Sequence, residues 1–173
     1  MKFKTVPSKW IERAGKRLDA RPYLAGAVEA RMILESGTLR SEPLSSVVCG
    51  HNGGIFNGPM FSRTYVSPEH GVPFVGSSDM LMADLTNLPY LSRKQAISDK
   101  LSFLRLQPGM TLISCSGTIG RMVYARPDME AMWSSQHIMK VVPDRDRIRP
   151  GYLFAFLSSK FGLPLVTSGT YGA

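Results

Sequence analysis

Residues 106–125 constrain the fold more than any other stretch of the chain, because they carry the pattern of a β-hairpin. Pro108-Gly109 is a turn signal, since proline presets φ and glycine tolerates positive φ. Residues 111–115 (TLISC) and 121–125 (RMVYA) are rich in β-branched and apolar side chains, and each run predicts a strand. Between them, residues 116–120 (SGTIG) predict a tight turn with a polar, basic tip.

The tip of this hairpin has two interpretations. Its backbone N–H groups, its hydroxyls and the guanidinium of Arg121 are groups that bind phosphates and base edges. The alternative is a turn whose glycines satisfy backbone geometry alone, and the motif by itself favours that alternative. In either case we expect positive φ at Gly117 or Gly120, Ile119 anchored in the core, and Thr118 directed outward with Arg121.

The composition is that of one folded domain. The chain has 173 residues, of which 43% are hydrophobic and 20% are charged, so we predict a single domain over residues 1–173. No apolar run approaches the roughly 20 residues that span a bilayer, and no secretory signal follows the N-terminus. The widely separated Cys49 and Cys115 favour two buried thiols in a cytoplasmic protein over a disulfide scaffold.

Positive charge is concentrated in two segments. The net charge is +8, and residues 1–31 hold eight basic and three acidic residues. Residues 93–126 hold six basic residues against Asp99 alone. Such a surface concentrates polyanions, although a basic helix face can also be solvated without a partner.

Hydrophobic periodicity predicts the other elements. Helices are expected at residues 10–18 and 24–34, the second ending near Ser36-Gly37, and at the C-terminus from Pro150. The C-terminal helix has an apolar stripe that predicts core contacts: Tyr152, Leu153, Phe156, Leu157 and Phe161. Strands are expected at residues 45–49, 61–66, 72–75 and 137–142. Residues 50–59 are expected to form a glycine-rich loop, residues 85–98 a loop with a short helical turn, and residues 133–136 a polar connection.

No pattern of a catalytic or metal site is present. His51, His70 and His137 lack metal-ligand spacing, and no serine lies in a G-x-S-x-G motif. The N-P-P-Y type motif of an adenine methyltransferase is also missing. We therefore expect no metal, no cofactor and no catalysis by this chain.

A series of motifs nevertheless resembles a known family, the target recognition domain of the specificity subunit of type I restriction–modification systems. The matching segments are 54–56 (GIF), 65–66 (YV), 71–79 (GVPFVGSSD), 106–113 (LQPGMTLI), 116–120 (SGTIG), 134–138 (SSQHI), 150–153 (PGYL) and 168–172 (SGTYG). The similarity extends from about Pro43 to Ala173, and residues 17–20 (RLDA) are similar to the opening of the family.

The resemblance implies an α/β (α+β) fold with a twisted, mostly antiparallel sheet. Together with the hydrophobic periodicity, it predicts that sheet with N-terminal helices and a C-terminal helix. It also implies a domain that reads one half of a split double-stranded DNA target. Modification (methyltransferase) and restriction subunits of the full complex would carry out the chemistry.

The sequence departs from the family's pattern in two respects. Met110 occupies a position where an aspartate usually follows the glycine, and the Pro-rich segment, the long helix and the second recognition domain are missing. We therefore expect a fragment of a longer subunit.

The resemblance and the residue types together predict which loops face DNA. The expected DNA-binding residues are Arg63, Ser77, Ser78, Asp79, Arg93, Lys94, Thr118, Arg121, Ser135 and Gln136. One alternative is the DNA-reading domain of a stand-alone methyltransferase or of a restriction–modification fusion enzyme. A second alternative is a protein–protein interaction module.

Overall fold

The computed structural model describes residues 5–13, 15–17, 20, 23, 26–37 and 40–169. Their helices are α1 (Ser8–Arg13), α2 (Ala27–Glu35), α3 (Arg93–Ala96), α4 (Pro150–Ser158) and α5 (Gly162–Ser168). Their strands are β1 (Ile55–Phe56), β2 (Tyr65–Val66), β3 (Gly71–Val75), β4 (Tyr90–Ser92), β5 (Thr111–Ser114), β6 (Met122–Tyr124), β7 (Trp133–Ser134) and β8 (Ile138–Val141). Short 3₁₀ helices lie at Leu44–Ser46, His51–Gly54, Pro68–His70, Asp79–Leu81, Ser102–Leu104 and Pro127–Met129.

The strands form two four-stranded sheets. The first sheet has the order β1-β8-β5-β6 and is antiparallel throughout. The second sheet has the order β2-β4-β3-β7, in which β3 and β7 are parallel and the other pairs are antiparallel. The predicted α+β class with mostly antiparallel pairing is confirmed, with two sheets in place of one.

The two hydrophobic clusters of the core share strand β3. Phe74 packs in a cluster with Trp133, whereas the next residue, Val75, packs in the other cluster with Leu112. This division follows from strand geometry, because successive side chains point to opposite faces of a sheet. The Trp133 indole donates hydrogen bonds to the carbonyls of Ala96 (2.9 Å) and Leu101 (3.1 Å). Strand β3 of the second sheet is therefore covered on both faces.

The chain divides into two compact units. Residues 43–154 form one unit, which contains both sheets, and residues 1–42 with 155–173 form the other. In the helical unit α2 buries Ala27 and Ala30 and packs against α5. The Arg17 guanidinium donates a hydrogen bond of 3.0 Å to the Ser168 carbonyl. The assignment of residues 1–173 to one domain stays a prediction.

Several local predictions are confirmed. The hairpin forms with Thr111 opposite Tyr124 and Ile113 opposite Met122. Helix α2 ends at Glu35, with the capping Ser36 and a left-handed Gly37 (φ +76°) beyond it. Strands β3 and β8 also lie within or close to the segments predicted as strands, residues 72–75 and 137–142.

Other local predictions are wrong because tertiary contacts decide those segments. Residues 45–49 form no strand, since Val48 makes only a single bridge to Pro143. The predicted N-terminal helix ends at Arg13, and Gly15 and Lys16 take left-handed φ values of +68° and +60°. Tyr152 was assigned to the core but is 67% exposed, and the Cys49 thiol, expected to be buried, lies at the surface.

Four short elements occur where no strand or helix is expected. Strand β1 interrupts the predicted glycine-rich loop, β4 forms in the loop preceding α3, and β7 forms in the polar connection after the hairpin. Helix α5 follows α4 across a close corner, where a Cβ on Gly162 would lie 2.2 Å from the Phe156 carbonyl oxygen. Most of the motif at residues 168–172 and part of residues 17–20 lie outside the described residues.

Candidate nucleic-acid interface

Strand pairing brings three of the predicted loops to one edge of the sheet-containing unit. Because β3 and β7 are parallel, with Val75 opposite Ser134, the segments that follow them leave side by side. Strand β5 is antiparallel to β8, and Cys115 donates a backbone hydrogen bond to the carbonyl of His137 (2.8 Å). Residues 77–79, 116–121 and 135–137 therefore lie along one margin, which we call the loop edge.

The hairpin tip of the loop edge is held from inside by Ser114. The buried Ser114 hydroxyl donates to the Thr118 carbonyl (2.6 Å) and accepts from the Arg121 backbone N–H (3.0 Å). Gly117 and Gly120 both have positive φ (+66° and +89°), as predicted. The side chains of Thr118 and Arg121 are exposed. The fixed backbone therefore presents a hydroxyl and a guanidinium to solvent.

The loop after β3 is closed by its own carboxylate. Asp79 accepts a hydrogen bond from the Gly76 backbone N–H (2.8 Å) through Oδ2, and Ser78 donates to Oδ1 (3.4 Å). Ser78 is exposed and Ser77 is half-buried. Asp79 thus holds the shape of this loop and leaves Ser78 at the protein surface.

A polar chain links Arg63 to the turn between β7 and β8. The Arg63 guanidinium donates to Gln136 Oε1 (2.7 Å), and Gln136 Nε2 lies 3.1 Å from His137 Nε2. The Arg63 Cζ also lies 5.4 Å above the centroid of the Phe74 ring, which is 2% exposed. His137 therefore belongs to this polar chain. From the sequence, His137 is considered only as a possible metal ligand, and this position is not predicted.

Three of the predicted residues do not present a side chain at the surface of the loop edge: Ser135 is buried, and Arg93 and Lys94 lie elsewhere. The Ser135 side chain is 2% exposed, and its hydroxyl accepts the backbone N–H of His137 (3.4 Å). Arg93 and Lys94 are exposed, but they follow β4 at the end where Ser92 pairs with Gly71. That end of the second sheet is opposite to the loop edge, so the structure separates these two cations from the hairpin tip and from the loop after β3.

Arg126 and Arg105 differ in whether the guanidinium is bound to a carboxylate within the protein. Arg126 forms a bidentate pair with Asp128, with N–O distances of 3.0 Å and 2.8 Å. The Arg105 guanidinium is exposed and lies 5.9 Å from the Trp133 ring centroid. The sequence around Arg105 does not predict this cation–π contact, because Trp133 lies on β7, far from Arg105 in the chain.

Lys140 is removed from the surface altogether. It is fully buried, and its Nζ donates to the Ile138 carbonyl (3.1 Å) and lies 5.3 Å from the Phe56 ring centroid. Burial lowers the pKa of the Lys140 amine to about 7. Burial also raises the pKa of the nearby Cys115 thiol, and the Lys140 charge partly opposes that shift.

Among the described residues, no group of three or more His, Cys, Asp or Glu side chains could hold a metal ion. In the same part of the chain, no helix has the length and apolar character needed to cross a membrane.

One solved structure relates this arrangement to a known protein. The crystal structure of the HsdS subunit from Thermoanaerobacter tengcongensis matches 94% of this chain with a TM-score of 0.54 and 19% sequence identity. The chain spans 40% of the length of that subunit. No protein-family model matches the sequence, and no curated protein matches it. The fold is therefore that of part of a type I specificity subunit, the family that the sequence motifs resemble.

Proposed function

We propose that this chain is a DNA target recognition domain, which reads one half-site for a type I restriction–modification complex in the cytoplasm and has no catalysis of its own. The observation that carries the proposal is the shared fold over 94% of the chain with an HsdS subunit. The matched 40% of that subunit fits the size of one recognition domain out of two. Modification and restriction subunits would then be the partners that act on the bound DNA.

The groups at the loop edge support DNA as the ligand. Arg121 supplies a guanidinium, and a second guanidinium reaches the loop edge from Arg63 through its hydrogen bond to Gln136. The hydroxyls of Ser78 and Thr118 supply short donors and acceptors. Such a mixture suits both phosphate contacts and base edges. Ser135 is left out of the proposed surface because it is buried.

Arg93 and Lys94 have a different proposed role, because they lie away from the loop edge. Strand β3 separates them from the loop edge by about 17 Å, at roughly 3.3 Å per residue. One turn of duplex DNA is about 34 Å long, so a single bound duplex can reach both sites. We assign Arg93 and Lys94 to phosphates that flank the recognised bases.

Titration of the 173-residue chain with duplex DNA tests this function. We expect dissociation constants of about 10⁻⁶ M near 50 mM salt and much weaker binding near 200 mM, because phosphate contacts release counterions. Arg121→Ala should lower the affinity and reduce the salt slope by about 1 if Arg121 contacts a phosphate. Arg126→Ala is the matched control, since its guanidinium already pairs with Asp128. Binding that is absent at low salt, or insensitive to salt, would contradict the proposal.

A further inference from the structure

Arg63 is held in place from two sides by groups that leave its charge uncompensated. The buried Phe74 ring lies beneath the guanidinium, and Gln136 Oε1 accepts one of its N–H groups at 2.7 Å. Within the described part of the chain, no carboxylate lies within salt-bridge distance of Arg63. A cation on an aromatic face with a fixed lateral hydrogen bond has lost much of its rotamer freedom before any ligand arrives.

Hydrogen-bond polarity fixes the direction of the whole chain of groups. Arginine can only donate, so Gln136 must present its carbonyl oxygen to Arg63. The Gln136 amide nitrogen then faces His137 Nε2, 3.1 Å away, and donates to it in the tautomer that leaves Nε2 as the acceptor. Each end of the Gln136 amide thus has one partner within the protein, which fixes the amide plane beside Arg63.

We propose that Arg63 is the guanine-reading residue of this domain and that Gln136 and His137 are positioning residues that orient its guanidinium. The inference rests on the proposed function and deepens it. The N–H groups of the guanidinium that Gln136 does not use form a planar donor pair, which matches the two acceptors O6 and N7 of guanine in the major groove. A phosphate offers a similar acceptor pair, but it tolerates rotation of the donor plane. The lateral restraint of Gln136 is useful where that plane must match a base.

Arg105 provides a matched control within the same sheet. It is also an exposed arginine above an aromatic ring, and Trp133 is the register partner of Phe74. Among the interactions of the described residues, Arg105 has no side-chain hydrogen bond that would fix its plane. Loss of Arg105 removes the same charge and the same type of ring contact, but it removes no oriented donor pair.

The test is selection of binding sites from a randomised duplex pool by the full 173-residue chain. The unsubstituted chain should enrich guanine at one position by roughly 5- to 150-fold, the range for a bidentate arginine contact. Arg63→Ala and Arg63→Lys should both lose that enrichment, and Arg63→Lys should keep most of the total affinity. Gln136→Ala should reduce the enrichment, His137→Ala should reduce it less, and Arg105→Ala should weaken all sequences alike.

The outcomes distinguish an error in the assignment of Arg63 from an error in the proposed DNA-recognition function. If the chain selects a sequence in a salt-dependent way and Arg63→Ala leaves the preference unchanged, the assignment of Arg63 is wrong and the recognition function stands. Equal losses of guanine preference in the Arg63 and Arg105 variants would also overturn the assignment, because charge alone would then explain it. If the unsubstituted chain shows no salt-dependent DNA binding, the proposed function itself fails. Thermal melts of each variant identify any loss that comes from unfolding.

Discussion

Replacing Lys140 by methionine should stabilise the protein at neutral pH. Lys140 lies on β8 between Phe56 of β1 and Leu112 of β5, and it is fully buried. Its Nζ hydrogen-bonds to a backbone carbonyl, and no carboxylate among the described residues lies within salt-bridge distance of it. An ammonium group buried without a counterion destabilises the fold, whereas methionine fills a similar volume without charge.

The pKa of Lys140 sets the size and the pH range of this effect. Burial lowers this pKa from 10.5 in the unfolded chain to about 7 in the folded protein. Between these two values the unfolded chain binds more protons, so stability rises with pH by about 1.4 kcal/mol per unit. Below the folded pKa both states are protonated, and the full penalty is present there. The penalty is therefore about 4 kcal/mol near pH 7 and about 2 kcal/mol near pH 9.

Urea denaturation from about pH 6 to about pH 9 measures this difference directly. Lys140→Met should gain about 5 kcal/mol over the unsubstituted protein at the acidic end, and the gain should fall to about 2 kcal/mol at the alkaline end. Lys94→Met is the control, since Lys94 is exposed and its replacement should change stability little at either pH. A gain that is independent of pH, or no gain at all, would refute the assignment of a buried, destabilised ammonium.

Two further predictions concern the hairpin. Gly120→Ala should lower the melting temperature, because φ is +89° there and a Cβ in that region costs about 1–2 kcal/mol. Thr118 is exposed, so Thr118→Ala should leave the melting temperature unchanged and weaken only DNA binding. Thermal melts and DNA titrations of the same two variants check this, and unfolding caused by Thr118→Ala would contradict it. Thr111→Val should raise the unfolding free energy by about 1 kcal/mol, because the buried Thr111 hydroxyl has no hydrogen-bond partner among the described residues. Denaturant titration measures the change, and a loss of stability would show that the hydroxyl is satisfied.

The loop edge could be predicted in part from the sequence. The tight turn at residues 116–120 and the polar segments around Ser78 and Gln136 are marked by residue type alone. Their meeting depends on the parallel pairing of β3 with β7, which no local pattern indicates because parallel partners are distant in the chain. The antiparallel pairing of β4 with β3 separates Arg93 and Lys94 from the loop edge, and tertiary packing buries Ser135. Candidate residues were therefore recognisable, and their grouping was not.

The sequence by itself determined the elements whose stability is local. The hairpin from Thr111 to Tyr124 combines runs of β-branched and apolar residues with glycines at positions of positive φ, and α2 combines an apolar face with a glycine after its last turn. Tertiary structure alone decided β4 and β7, since strands of two or three residues exist only through hydrogen bonds to their neighbours. It also decided that Lys140 is buried and that Tyr152 is exposed. Side-chain environment depends on what packs against an element, and that information lies in distant residues.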